Sequence, residues 1–273
     1  MWRSEAGAPV VGNSAYANLP AMTDFTGKVG LVTGGTRGIG LGIAQEIVAR
    51  GGSVCITARK PDELEEAVRT LDPDGAGVAI AARGSADDET HQQEAIEQAV
   101  STFGRLDFLV NNAAVNPYFG PTIDADLGAV RKILEVNVTA VLAWTQQAWR
   151  AWMKDNGGAV VNVASVGGLR AGGPLGAYGT SKAALIHLTK QLASELAPGV
   201  RVNAIAPAVV KTKFARALYE NREEQVAAGY PLKRLGTPDD TAKLAAFLLS
   251  DDASWITGIT VPIDGGGTLA GAV

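Results

Sequence analysis

Seven short apolar runs, separated by longer stretches of helical period, constrain this chain more than any other feature. VGLVT (29–33), SVCIT (53–57), GVAIAA (77–82), LDFLVN (106–111), AVVNVA (159–164), RVNAIA (201–206) and ITVPI (259–263) each have the length and content of a buried strand. Segments 38–50, 61–71, 87–103, 124–154, 175–197 and 238–250 between them are helix candidates. A strand that is apolar at nearly every residue needs cover on both faces, the condition of a parallel sheet between two helix layers. The order predicts one α/β domain over 24–273 with a doubly wound, seven-stranded parallel sheet of Rossmann type. Such a sheet binds ligands beyond the C-terminal ends of its strands, so the loops after strands should carry the function.

The loop after the first strand reads TGGTRGIGLGIA (33–44). Gly34, Gly38 and Gly40 permit positive φ and close backbone approach to a phosphate, and the helix that follows points its positive end at the same place. Thr36, Arg37 and Ile39 complete the turn. Leu41 follows Gly40 where a phosphate-loop nucleotidase would have lysine, so a nucleoside triphosphatase is disfavoured. The second strand ends ITARKPDEL. Ala58 fills the place where NAD-binding chains carry an acid, and Arg59 and Lys60 follow it. Together with Arg37 they favour a 2′-phosphate, hence NADP(H) over NAD(H).

Charge and composition remove other classes. A net charge of −4 gives no broad basic surface, so nucleic acid and anionic membrane are not favoured partners, and a small molecule is. No apolar run approaches the ~18 residues of a membrane span. The single Cys55, set in an apolar strand, excludes an intrachain disulfide and fits a reducing cytoplasm. His91 and His187 lack metal-ligand spacing and read as helix-surface residues, so no metal is expected. Residues 1–23 mix Gly, Pro, Ala and Asn without period and read as a flexible arm.

In AYGTSKAAL (177–185), Tyr178 precedes Lys182 by one helical turn, which makes the two side chains neighbours. Alone, such a pair is a common surface pattern. Here TGGTRGIG (33–40), NNAA (111–114), Asn137 in LEVNVTA, Ser165 in VNVASVGG, YGTSK (178–182) and NAIAPAVVKT (203–212) accompany it in order, with Ser165 thirteen residues before Tyr178. In these motifs the chain resembles the classical short-chain dehydrogenase/reductase family, over roughly 25–267.

The resemblance implies hydride transfer between a nicotinamide and a carbonyl or secondary alcohol. Tyr178 would be the general acid for reduction and base for oxidation, and Ser165 would hold the substrate oxygen. A free tyrosine, with a pKa of about 10, exchanges protons poorly at neutral pH. The Lys182 ammonium is expected to lower that pKa and, by resemblance, to bind the ribose. Asn137 would hold a water linking Lys182 to solvent. Asn111 would support the sheet and the adenosine side, with Ala113 beside the cofactor, and Pro207, Val210 and Thr212 would meet the nicotinamide and its phosphates. Ala114 and Ala208 stand where the family usually has glycine. The acid that usually meets adenine is replaced by Gly84 or Ser85, so Ser85 is the candidate contact.

The substrate is less legible. By position Tyr118, Phe119, Leu169, Leu218 and Tyr219 suggest an apolar pocket wall, with Gly167 and Gly168 leaving space near the carbonyl and 208–232 forming a lid. A ketone fits such a wall. A carrier-protein or CoA thioester is the further partner implied by resemblance to 3-oxoacyl-carrier-protein reductases, with Arg170, Lys211 and Lys213 as its cations. The alternatives are an NAD-dependent alcohol dehydrogenase of the same family, a catalytically silent NADP-binding sensor, and a nucleotide-sugar epimerase, which would carry a longer C-terminal region. The family's pairing of long helices implies a homotetramer.

Overall fold

The structure, a computed structural model, describes residues 24–270. The arm expected over 1–23 lies outside them. Seven strands form a single sheet: β1 (Val29–Thr33), β2 (Ser53–Ala58), β3 (Ala79–Arg83), β4 (Phe108–Asn111), β5 (Gly158–Val163), β6 (Val200–Pro207) and β7 (Thr260–Ile263). All neighbours are parallel in the order β3-β2-β1-β4-β5-β6-β7. Chain order reverses between β1 and β4, which opens a crevice above their C-terminal ends.

The helices are α1 (Gly38–Ala49), α2 (Pro61–Leu71), α3 (Glu89–Phe103), α4 (Leu127–Leu134), α5 (Ala140–Ala148), α6 (Lys154–Asn156), α7 (Gly176–Leu196), α8 (Arg216–Tyr219), α9 (Glu223–Gly229), α10 (Pro238–Leu249) and α11 (Gly267–Ala270). The strands alternate their side chains between two cores. Val32, Ile56, Val110 and Val161 pack under α1, α2 and α10, while Leu31, Cys55, Leu109 and Val160 pack under α3, α5 and α7. Burial pushes the Cys55 thiol up to about 12, so it is a protonated core residue.

Local chemistry sets the helix ends. Asp88 caps α3 by accepting from Thr90 N and His91 N, and Gly104 closes it with φ of 78°. Thr237 and Asp240 form a reciprocal capping box on α10, with Pro238 in its first turn. The single helix expected over 124–154 begins later, where Asp126 accepts from Ala129 N. It is interrupted by two π turns, Glu135–Thr139 and Trp149–Met153, features that apolar periodicity does not reveal.

His91 corrects the surface reading. It is buried, edge-on to Trp144 at 5.7 Å between centroids, whereas His187 is exposed. The error has a physical origin: α3 is covered by sheet on one side and by the chain around Trp144 on another, whose indole donates to the Ala86 carbonyl at 2.9 Å.

Candidate active site

A cleft of about 1360 Å³ runs along the C-terminal edge of the sheet, from the end of β2 across the glycine turn to the start of α7. At its centre, β1 delivers Thr33 and the chain turns through Gly34 (φ 65°) and Gly38 (φ 56°) into α1. A methyl group at Gly40 would sit 2.4 Å from the Gly34 carbonyl oxygen, so only glycine lets the turn close. No side chain caps the start of α1, which leaves that helix end open to the cleft. The arrangement fits a dinucleotide pyrophosphate: bare backbone at a helix N-terminus. Asn112 ties the turn to β4, donating from Nδ2 to the carbonyls of Thr33 and Gly34 at 2.8 and 3.1 Å. The Asn112 and Ala113 amides both donate to the Thr33 hydroxyl.

At one end of the cleft β2 stops at Ala58, and Arg37, Arg59, Lys60 and Ser85 line the wall. Two acids absent from the sequence reading line it as well. Glu63 takes Arg37 on one carboxylate oxygen at 2.6 Å and Lys60 on the other at 2.9 Å. Asp87 pairs with Lys132 and accepts from the Ser85 hydroxyl at 2.5 Å; the Lys132 bond, with help from Ser85, holds its carboxyl below the ordinary range.

At the other end Ser165, Tyr178 and Lys182 converge. Ser165 leaves β5 in extended conformation and accepts from the Gly167 amide at 3.2 Å. The Tyr178 and Ser165 side chains share a hydrogen bond. Lys182 is 2% exposed, donates to the Val163 carbonyl at 2.7 Å and lies 5.6 Å from the Tyr178 ring centroid. Backbone contact sets this convergence: a Cβ at Gly168 would meet the Lys182 carbonyl carbon at 2.6 Å, and one at Gly179 the Gly167 carbonyl oxygen at 2.6 Å. Gly168 is therefore a packing residue against α7, whereas Gly167 has ordinary room above Ser165.

The electrostatics differ from the expectation that Lys182 lowers the tyrosine pKa. Burial raises Tyr178, and only the Ser165 bond pulls it back. Burial also lowers Lys182 to about 7. A desolvated amine that has lost much of its charge near neutrality supplies little field to its neighbour.

Asn137 lies in the first π turn, fully buried; it accepts from Val115 N at 2.9 Å and donates to Val115 O and Ser181 Oγ, both at 3.0 Å. Its side chain thus fastens the loop after β4 to α7 beside Lys182. Of the other expected residues, Thr36, Ile39, Ala113, Pro207, Val210 and Thr212 line the cleft, as do Gly167 and Leu169.

Three do not. Asn111 turns into the sheet and donates to Asn162 Oδ1 at 2.9 Å, leaving the cleft side to Asn112. Tyr118 spends its hydroxyl on the Pro121 carbonyl at 2.7 Å, so of the two neighbouring aromatics expected at the wall only Phe119 lines the cleft. Tyr219 donates to the Thr212 carbonyl at 3.3 Å, while the expected Leu218 lines the wall together with Phe214, which the sequence did not single out. Phe214 stands 6.0 Å from the Tyr178 ring. The Tyr118 orientation is not readable from sequence because a loop fixes no face for its side chains, and Tyr219 ends the four-residue α8, too short for a period to mark its face.

The family model described as enoyl-(acyl carrier protein) reductase matches residues 34–268, from the glycine turn to beyond β7. The chain is a short-chain dehydrogenase/reductase. This dehydrogenase/reductase is 42% identical over 244 residues to dehydrogenase/reductase SDR family member 4 of Sus scrofa, covering 88% of this chain and 86% of the relative. It is 39% identical to tropinone reductase-like 3 of Erythroxylum coca, covering 89% and 93%. The solved short-chain dehydrogenase/reductase from Mycobacterium ulcerans superposes with a TM-score of 0.85 at 35% identity, covering 90% of this chain and 91% of that one. It is accordingly an oxidoreductase of carbonyl and alcohol groups, in a family that uses nicotinamide cofactors. Among the described residues no helix is long and apolar enough to cross a membrane, and no cluster of His, Cys, Asp and Glu could hold a metal.

Proposed function

We propose that this short-chain dehydrogenase/reductase is an NADP(H)-dependent reductase of ketones. One observation carries the cofactor choice: β2 ends in Ala58 with no carboxylate, and Arg37, Arg59 and Lys60 line the cleft around it. A ribose 2′-phosphate would meet three cations there, two of them paired with the Glu63 carboxylate on α2. Reduced nicotinamide supplies a hydride to the carbonyl carbon when bound.

The chain's own part is the proton. Burial keeps it on the Tyr178 hydroxyl at neutral pH, which suits the acid role. Ser165 and Tyr178 present two hydroxyls to one substrate oxygen, so that oxygen is held by Ser165 and takes its proton from Tyr178 as the C–H bond forms. The phenolate left behind lies next to Lys182, which titrates near 7 and can accept a proton as readily as lose one. Assembly of these groups in one cleft argues against a silent sensor.

Phe119, Leu169, Phe214 and Leu218 give the substrate an apolar flank, which favours a ketone with a hydrocarbon side. A relative named tropinone reductase-like 3 supports the same class. Lys213 and Arg170 also line the cleft, and a phosphate-bearing thioester is the larger substrate that would engage them.

The test follows oxidation of NADPH and NADH with a panel of ketones and 3-oxoacyl thioesters. Turnover of ketones with NADPH preferred, abolished in Tyr178→Phe without loss of nucleotide binding, is the expected result. Near-normal turnover in that variant, or equal use of both cofactors together with indifference to Arg37→Ala and Arg59→Ala, overturns it.

A further inference from the structure

Both oxygens of the Glu63 carboxylate are engaged by cations of the cleft wall around the end of β2. Oε2 takes Arg37 at 2.6 Å and Oε1 takes Lys60 at 2.9 Å. Glu63 is the third residue of α2, which begins at Pro61, so its position is set by a helix start rather than by a flexible loop. Its side chain is 30% exposed and those of Arg37 and Lys60 are 50% and 64% exposed. A ligand entering the cleft can therefore reach all three. The Lys60 bond, with the charges of Arg37, Lys60 and Lys213 behind it, keeps the carboxyl below its ordinary range, so it is an anion throughout the neutral region.

We propose that Glu63 is a specificity-determining residue that masks Arg37 and Lys60, so that it weakens the protein's grip on a ribose 2′-phosphate and narrows its preference for NADP(H) over NAD(H). The proposal rests on the reading that Arg37 and Lys60 face that phosphate. A dianionic phosphate must break both pairs or settle beside a carboxylate, and like charges at contact distance repel. An unphosphorylated ribose meets no such opposition, because its hydroxyls can donate to the same oxygens. Removing the charge alone frees both cations while keeping the shape of the side chain. Asp62 still supplies an acid to the first turn of α2, so the helix start is preserved.

The test is calorimetric titration of wild type, Glu63→Gln, Arg37→Ala and the Arg37→Ala/Glu63→Gln double variant with 2′,5′-ADP and with 5′-ADP. Two exposed pairs are released, so Glu63→Gln should bind 2′,5′-ADP about fivefold more tightly or better. Binding of 5′-ADP should stay within about twofold, and most of the gain should vanish in the double variant. Unchanged or weaker 2′,5′-ADP binding in Glu63→Gln, with Arg37→Ala still weakening it, overturns the masking role and leaves the 2′-phosphate reading intact. Should wild type bind both nucleotides equally and Arg37→Ala change neither, both ideas fall together.

Discussion

The Lys182 amine lies 5.6 Å from the centroid of the Tyr178 ring, and the two groups are driven toward neutrality by the same burial. Lys182 titrates near 7 in the folded protein against 10.5 for an ordinary lysine. The folded state therefore releases its proton first as pH rises. Between these two values the unfolded chain binds more protons than the folded one, so stability increases with pH across that window. Below about 7 the native state bears the full cost of a buried ammonium. The urea midpoint of the nucleotide-free protein should climb from pH 7 to pH 9, and Lys182→Met should flatten that climb. A variant whose slope matches wild type would show that the amine is not desolvated as its surroundings imply.

Asn112 gives a second expectation. Its amide holds the Thr33 and Gly34 carbonyls, and so pins the glycine turn to β4 at the point where strand order reverses. Asn112→Ala leaves both carbonyls without that donor, which should cost about 1–3 kcal/mol. The loosened turn should also bind 5′-ADP several-fold more weakly. Unfolding by urea and calorimetric titration check the two effects; wild-type values in both would mean that the turn holds itself.

What the sequence disclosed and what it withheld divide along physical lines. The strands and the glycine turn were legible because burial on both sheet faces and positive φ each demand particular residue types at particular positions, as at Val32, Ile56, Gly34 and Gly38. One helical turn makes Tyr178 and Lys182 neighbours, but their role and the place of Ser165 beside them rest on the resemblance of the whole motif set to the family. Side-chain direction was not available. Asn111 and Asn112 are adjacent and identical, and only the pleat of β4 decides which one enters the sheet. Tyr118 and Phe119 differ in the same way, in a loop where no period exists. Nor could spacing report the solvent: the Lys182 charge follows from residue type, but burial raises Tyr178 and lowers Lys182, against the expected downward shift of the phenol.

His91 carries the next expectation. Its ring is buried against Trp144, with Nε2 lacking a partner, and burial depresses its pKa below the usual 6.5. The folded state resists protonation, so stability present above about 6.5 should be lost as pH falls through the folded value. This window lies below that of Lys182, and the two can be told apart in one pH series. His91→Phe should remove the acid-side decline. Gly84→Ala should destabilise at all pH values by about 1–3 kcal/mol, since its Cβ would fall 2.1 Å from the His91 ring. An acid limb unchanged in His91→Phe would assign the decline to other groups.

Arg201, on β6, ends α10 from outside that helix. Its Nη1 donates to the Leu248 and Ile256 carbonyls at 2.8 and 3.4 Å, and its Nη2 to Leu249 and Ser250 at 3.1 and 2.9 Å. The last carbonyls of a helix have no partners within it and form the negative end of its dipole, so a guanidinium there satisfies bonds and charge together. Burial works against this cation, lowering its pKa, with Asp251 opposing that shift. The planar fork reaches four oxygens at once, which a single ammonium cannot do. Arg201→Met should therefore cost about 2–4 kcal/mol in urea unfolding, and Arg201→Lys should recover only part of it. The loss should be greatest in hydrogen-exchange protection over α10 and β7, because Asn203 beside it also holds Ile256 and Ile259. An Arg201→Met protein within about 0.5 kcal/mol of wild type would show that water satisfies those carbonyls as well as the guanidinium does.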